Sequence, residues 1–331
     1  MITGAAGFIG SHVLGTFLKN HPDYNILVVD ILTYAASLEN MVESADGNSF
    51  SFVQEDIRDF HAMLKLMRKW KIDGIVHLAA ESHVDNSIKE PFKFADTNIM
   101  GTLSLLQAAK VYWGDECPDG YEGKLFYHVS TDEVFGALGP KDPPFTEKTP
   151  YNPHSPYSAS KAASDHFVRA YHDTYGLPII ISNCSNNFGP HQHHEKLIPM
   201  VISKIKKHEK IPVYGNGENV RDWLFVIDHA NAIDLLFHHG EIGESYNIGG
   251  KKEMSNIAII RKIIEFADKQ LGNPEGYSLD LIEFVTDRPG HDFRYGIDNS
   301  KIFNSNIWVP LYNFDYALDL TVKYYLEHEN N

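Results

Sequence analysis

The sequence predicts an α/β fold, a Rossmann-type doubly wound parallel sheet with a smaller mixed α/β substrate-binding lobe. Two observations predict it. Short, apolar, partly β-branched segments alternate with helix-length segments through the first half of the chain. Such a βαβα rhythm folds as parallel strands joined by right-handed crossovers. Gly4, Gly7 and Gly10 form a G-x-x-G-x-x-G loop between a strand end and a helix start, where glycines permit a tight turn and close approach of a pyrophosphate to backbone N–H groups.

Only Met1, Ile2 and Thr3 precede the loop, so part of a full first strand is expected to be missing from the chain. Further strands are expected at residues 26–29, 50–54, 74–78, 125–129 and 179–183, with helices at 11–19, 60–69, 96–112 and 155–175. Beyond residue 186 the pattern is irregular and rich in Pro, Gly and His, with helices expected at 197–207, 228–238, 255–271 and 316–327. The chain therefore divides into a dinucleotide-binding unit over 1–185, with return segments near 219–240, and a lobe over 186–331.

Composition narrows the function. A formal net charge of -15 over 331 residues opposes a nucleic-acid partner, which needs clustered cations. It leaves room for one small phosphorylated ligand in a local basic pocket. Cys117 and Cys184 make no disulfide framework and lack the neighbours of a zinc site. No apolar run is long enough to span a bilayer and no signal-peptide pattern occurs, so a soluble, cytoplasmic protein is expected.

Three groups of residues carry chemistry. Asp30 ends the second strand about 20 residues past the glycine loop, where a carboxylate binds ribose hydroxyls and repels a 2′-phosphate; NAD is favoured over NADP. Asp56 and Ile57 close the third strand, where Asp56 either holds an adenine amino group or caps a helix. Tyr157 and Lys161 stand four apart on one helical face. The ammonium favours the phenolate of a residue whose ordinary pKa of about 10 is too high for a base. Ser130 and Thr131 precede them by one strand. Finally, Asp132 and Glu133 follow a buried strand; adjacent carboxylates there suit a site that must both donate and remove a proton. His191-Gln192-His193-His194-Glu195 lacks the spacing of a metal site, so no metal is expected.

With Leu78-Ala79-Ala80-Glu81-Ser82 and Asn186-Asn187-Phe188-Gly189-Pro190, these motifs resemble the extended short-chain dehydrogenase/reductase superfamily. Within it the chain resembles the dTDP-glucose 4,6-dehydratase family. Thr33-Tyr34-Ala35, Glu81-Ser82-His83-Val84-Asp85, Ser130-Thr131-Asp132-Glu133-Val134, Glu195-Lys196-Leu197-Ile198-Pro199, Arg221-Asp222-Trp223 and Asp287-Arg288-Pro289-Gly290-His291-Asp292 carry that likeness nearly end to end.

The resemblance implies NAD as cofactor, held by Gly4, Gly7, Phe8, Ile9, Gly10, Asp30, Thr33, Asp56, Ile57, Leu78, Ala79, Ala80, Ser82, Thr97, Tyr157, Lys161 and Asn187. It implies a nucleotide sugar, dTDP-glucose, held by Ser82, His83, Thr131, Asn186, Lys196, Leu197, Pro212, Tyr214, Arg221, Asn256, Arg288 and His291. Arg221 and Arg288 suit a pyrophosphate, since guanidinium binds phosphate oxygens bidentately. Catalysis would rest on Thr131, Asp132, Glu133, Tyr157 and Lys161: Tyr157 takes the C4 hydroxyl proton as hydride leaves C4, Glu133 removes the C5 proton, and Asp132 protonates the departing C6 hydroxyl. The resemblance further implies a homodimer through the helices near 96–112 and 155–175, and a role in deoxysugar biosynthesis such as that of rhamnose.

Two segments depart from the family's pattern. Ile31 replaces its usual Lys after Asp30, and the stretch around Trp308-Val309-Pro310 is shortened. The base is left open, as are GDP-mannose 4,6-dehydratase or epimerase activity within the superfamily. CDP-glucose dehydratases carry Lys where Glu133 stands. A non-catalytic NAD sensor would be expected to lose Tyr157, Lys161 or the carboxylate pair, and all are intact.

Overall fold

Runs such as Leu27-Val28-Val29 and Ile179-Ile180-Ile181 have no polar face, so they form strands only where helices cover both sides. The computed structural model describes residues 1–287 and 292–328; Arg288 and His291 lie outside the described residues. The chain begins β1 (Ile2–Thr3), α1 (Phe8–Asn20), β2 (Leu27–Asp30), α2 (Leu38–Ala45), β3 (Ser51–Gln54), α3 (Phe60–Trp70), β4 (Gly74–His77), α4 (Val84–Lys89) and α5 (Pro91–Phe94). It continues α6 (Gly101–Ala109), β5 (Leu125–Thr131), α7 (Pro156–Tyr175), β6 (Ile179–Cys184), β7 (Asn186–Phe188), α8 (Leu197–Lys206), β8 (Ile211–Tyr214) and β9 (Val220–Phe225). It ends α9 (Val226–His239), β10 (Ser245–Ile248), β11 (Glu253–Ser255), α10 (Asn256–Leu271), β12 (Ile282–Val285), α11 (Ser300–Asn304) and α12 (Phe314–Glu327).

The main sheet has seven strands in the order β10-β6-β5-β4-β1-β2-β3, all paired in parallel. Short as it is, β1 pairs on both sides, Ile2 opposite Val28 and Val76. One core, containing Leu14, Val28, Tyr127, Ile233 and Ile248, packs on one face. A second, containing Leu27, Met63, Leu105, Trp113 and Ile181, packs on the other. A third core, of Phe188, Ile202, Trp223, Ile260, Leu318 and Tyr325, fills the smaller lobe around a three-stranded and a two-stranded sheet.

One expectation is corrected. The helix expected over 96–112 is broken: Ala95–Met100 and Lys110–Glu116 wind as π-helix on either side of α6. The segment near 219–240 adds no strand to the main sheet, but its helix packs against it, with Ala230, Ile233 and Leu236 in the first core. Its strand β9 pairs with β7 and β11, its helix α9 packs on α1, and the returning strand is β10. Asn247 is fully buried there, its Nδ2 donating to Phe145 O at 2.9 Å and its N–H to Glu147 Oε1 at 2.9 Å. The strand is only four residues long, Ser245-Tyr246-Asn247-Ile248, and sends Tyr246 and Ile248 into the first core; that alternation is too short to stand out in the sequence.

The core also makes the fold acid-sensitive. His229 on α9 is fully buried; its Nδ1 donates to Asn187 Oδ1 at 2.9 Å and its Nε2 meets no partner. Burial pushes its pKa down to about 3. The unfolded chain thus takes up a proton near its ordinary 6.5 that the folded chain refuses, so this contribution to stability is present above that pH and lost as pH falls toward 3. In His229→Gln, the slope of unfolding free energy against pH within that window should be shallower by about 1.4 kcal/mol per pH unit. Denaturant titrations across the window measure it; equal slopes in parent and variant contradict the assignment.

Candidate active site

Strand order reverses between β1 and β4, and open parallel sheets bind ligands at the carboxyl ends of the strands beside such a switch. A cavity of about 410 Å³ opens there. Its floor is the glycine loop. Gly4 has φ +76°, and a Cβ on it would lie 2.6 Å from Ala79 N. A Cβ on Gly10 would lie 2.1 Å from Gly4 O. Side chains at either position would force α1 or the β4 end away. Gly7 is the N-cap of α1, and no side chain caps that end. The first-turn residues Phe8, Ile9 and Gly10 line the cavity, so the positive end of the helix dipole serves it.

Asp30, at the end of β2, accepts from Ala6 N at 3.0 Å and Leu32 N at 2.8 Å. Each oxygen keeps a further acceptor site, and burial pushes the carboxyl's pKa up. Thr33, Asp56 and Ile57 line the same wall. Asp56 does not cap α3. Asp59 does, accepting from Ala62 N at 2.9 Å, while Asp56 is gripped by Arg58, whose Nε and Nη2 donate to Asp56 Oδ2 at 2.9 and 2.6 Å. Together, an uncapped helix end, a ribose-ready carboxylate and a deep groove suit a dinucleotide.

The opposite wall comes from β4 and the helices after it: Leu78, Ala79, Ala80, Ser82 and Thr97. A residue not singled out in the sequence holds this wall in place. Asn98, 1% exposed, accepts from Glu81 N at 2.8 Å and donates to Glu81 O at 3.0 Å and Ser160 Oγ at 2.8 Å. It sits in the π-helical turn, a distortion frequent at functional sites. Neither Asn98 nor the π turn has a sequence signature.

Thr131 ends β5, Asp132 and Glu133 open the 3-10 turn that follows, and all three enter the cavity beside Tyr157 and Lys161 of α7. The α7 start is set by a Ser155–Ser158 capping box followed by Pro156. Asp132 is 2% exposed. Its Oδ1 receives Thr131 Oγ1 at 3.4 Å and its Oδ2 meets no partner. Burial first, then the charges of Glu133 and Asp222, push its pKa well above the ordinary carboxyl range, which favours its protonated form.

Burial and the Glu133 charge push the Tyr157 phenol's pKa well up, opposed by a hydrogen bond with Thr131. Lys161 Nζ donates to Val129 O at 2.8 Å, so the ammonium is fastened to the strand.

Asn186, Asn187 and Lys196 line the cavity from the smaller lobe's side. At the mouth Lys196 Nζ donates to Ser82 O at 3.4 Å and Tyr34 OH to Glu195 Oε1 at 3.1 Å. In the segment 191–195, His191 Nδ1 pairs with Ser11 Oγ at 3.0 Å, and His193, on the cavity wall, has its Nδ1 3.5 Å from Glu195. His21, Asp234 and His238 bring their ligand-type atoms within 4.8 Å of one another. The two imidazoles stack with planes 24° apart, however, so their in-plane lone pairs do not converge on one ion.

The sequence profile described as GDP-mannose 4,6 dehydratase matches residues 1–321. A dTDP-glucose 4,6-dehydratase of Neisseria meningitidis serogroup B is 47% identical over 333 residues, covering 99% of this chain and 93% of that protein. The chain belongs to the dTDP-glucose 4,6-dehydratase family. The crystal structure of such an enzyme from Bacillus anthracis, in complex with NAD, matches with a TM-score of 0.86 and 41% identity, covering 99% of this chain and 96% of that one. Another, from Streptomyces venezuelae with NAD bound, matches with 0.88 and 40%, covering 98% and 96%.

Other residues that the family resemblance named lie off the cavity wall. His83 caps α4, accepting from Asn86 N at 3.4 Å. Leu197 begins α8, Pro212 and Tyr214 lie on β8, and Asn256 begins α10; Tyr214 is 45% exposed. Arg221 on β9 is buried, its Nη2 donating to Asp292 O at 3.0 Å and Nη1 to Val220 O at 2.7 Å. Its guanidinium also stacks 4.4 Å over Tyr295.

Proposed function

We propose that this chain converts dTDP-glucose to dTDP-4-keto-6-deoxyglucose and water, with bound NAD. The observation that carries the reading is the carboxylate pair: Asp132, buried where its protonated form is favoured, stands next to Glu133 in the same cavity as Tyr157 and the glycine loop. Epimerisation at C4 needs no such pair. NAD supplies a hydride acceptor for C4 and a donor for C6. Gly4, Gly7 and Gly10 with the α1 start bind its pyrophosphate, and Asp30 its ribose, excluding a 2′-phosphate. Tyr157 removes the C4 hydroxyl proton, with Thr131 bonded to the same oxygen and the Lys161 charge favouring the phenolate. The resulting ketone acidifies C5, Glu133 takes that proton, Asp132 gives its own to the C6 hydroxyl so that water leaves, and Glu133 returns a proton to C5 as C6 is reduced.

Residues 1–185 serve the cofactor and 186–331 mainly the nucleotide sugar, with Asn186 and Lys196 reaching the sugar and Arg221, Tyr214, Pro212 and Asn256 shaping the nucleotide end. His83 and Leu197 support the sugar from behind. The wider reading is a cytoplasmic homodimer in deoxysugar biosynthesis, rhamnose included. Exposed apolar side chains on the α5–α7 surface, Phe92 at 84%, Met100 at 53% and Phe167 at 37%, support pairing there. Among the described residues no helix is long and apolar enough to cross a membrane.

Purified protein incubated separately with dTDP-, UDP-, CDP- and GDP-glucose tests the reading. A 4-keto-6-deoxy product is expected from dTDP-glucose, with NAD and not NADP supporting turnover and no net NADH accumulating. Product from another nucleotide alone, or stoichiometric NADH, overturns it.

A further inference from the structure

Behind the cavity, α7 carries a second buried charge that the reaction leaves unused. Asp165 lies four residues after Lys161, on the same helical face, and is 0% exposed. Its carboxylate accepts from Ser130 Oγ at 2.8 Å, Tyr151 OH at 2.8 Å, His128 Nε2 at 3.1 Å and Asn183 Nδ2 at 3.4 Å. All four donors are neutral: burial pushes His128 down to about 4 and Tyr151 up. An ionised carboxylate can only accept, so each donor selects the charged form. Together they hold Asp165 below the ordinary carboxyl range, with the Lys161 charge assisting.

Lys161 presents the complementary problem. It is 5% exposed, and its Nζ donates to a neutral carbonyl, Val129 O, at 2.8 Å. Burial alone pulls a lysine's proton off. The groups facing it are Asp165 on its own helix, His128 of β5, Cys184 of β6 and His77 of β4; of these Asp165 and Cys184 favour the proton, Asp165 the more strongly. The geometry joins the two residues through β5. Alternation along the strand turns the His128 and Ser130 side chains to α7, and both bond Asp165, while the carbonyl of the residue between them, Val129, receives Lys161.

We propose that Asp165 is a positioning residue for Lys161, a fixed buried counter-charge that keeps Lys161 cationic and registers α7 on β5 so that its ammonium stays on Val129 O. The proposal rests on the reading of Tyr157 and Lys161 given above. Asp165 lies outside the cavity lining and touches neither sugar nor cofactor.

The pH dependence of kcat tests it. Asp165→Asn keeps the shape but removes the charge, so Lys161 loses its proton earlier. The alkaline limb should move to lower pH by about one unit, with kcat falling about tenfold or more and KM for dTDP-glucose nearly unchanged. Should that variant not fold, Asp165→Ser, which leaves room for a water among the same donors, carries the same expectation. Asp165→Glu, which keeps the charge, should keep the parent's alkaline limb. A folded neutral variant whose alkaline limb coincides with the parent's overturns the proposal. Lys161→Met separates the two readings: if it turns over like the parent, the Tyr157–Lys161 assignment fails, whereas an inactive Lys161→Met beside a parent-like Asp165→Asn removes Asp165 alone.

Discussion

Tyr157→Phe is expected to bind dTDP-glucose like the parent and to turn it over about 10²–10⁴-fold more slowly. The ring is packed edge-on against Phe94, with centroids 6.3 Å apart, and the substitution leaves that packing intact. What is lost is the oxygen that takes the C4 hydroxyl proton. In the parent, burial and Glu133 hold the phenol's pKa up, so kcat should rise with pH as that proton is surrendered to Lys161-assisted ionisation. Steady-state kinetics with calorimetric binding measure both halves. Turnover equal to the parent's removes Tyr157 as the base.

The second large effect belongs to the carboxylate pair. Asp132→Asn keeps the shape of a side chain that is buried just after β5 but has no proton to give. Glu133→Gln keeps the hydrogen-bonding capacity but cannot accept a proton. Each should cost about 10²–10⁴-fold in turnover, while oxidation at C4 persists, so reduced cofactor should accumulate on the enzyme without release of product. Single-turnover absorbance follows it.

Much of the catalytic half of the molecule was legible because its residues obey local rules. Period and β-branching marked β2 to β6, since strands covered on both faces have no polar alternative. Gly4 and Gly10 are dictated by contacts that no side chain survives. What stayed hidden has physical causes. β10 alternates two polar with two apolar residues over only four positions, too short a period to be told from a loop, and Asn247 is held by a distant segment through Phe145 O and Glu147. The π-helical turn and Asn98 depend on tertiary packing against Glu81 and Ser160. The hold on Lys161 depends on a carbonyl 32 positions away, and the raised phenol on burial that spacing along a helix does not report. The residues assigned to the nucleotide by resemblance lie on β8, β9 and α10 rather than on one wall, so no local pattern joins them.

The central claim is that Glu133 takes the C5 proton while Asp132 supplies one to C6. It is tested most directly by incubating dTDP-glucose in deuterium oxide with parent, Glu133→Gln and Asp132→Asn, and reading deuterium at C5 by NMR. Deuterium should enter C5 with the parent, persist with Asp132→Asn, and disappear with Glu133→Gln. Incorporation by Glu133→Gln at the parent's rate would contradict the account, because the proton would then be leaving C5 by another base.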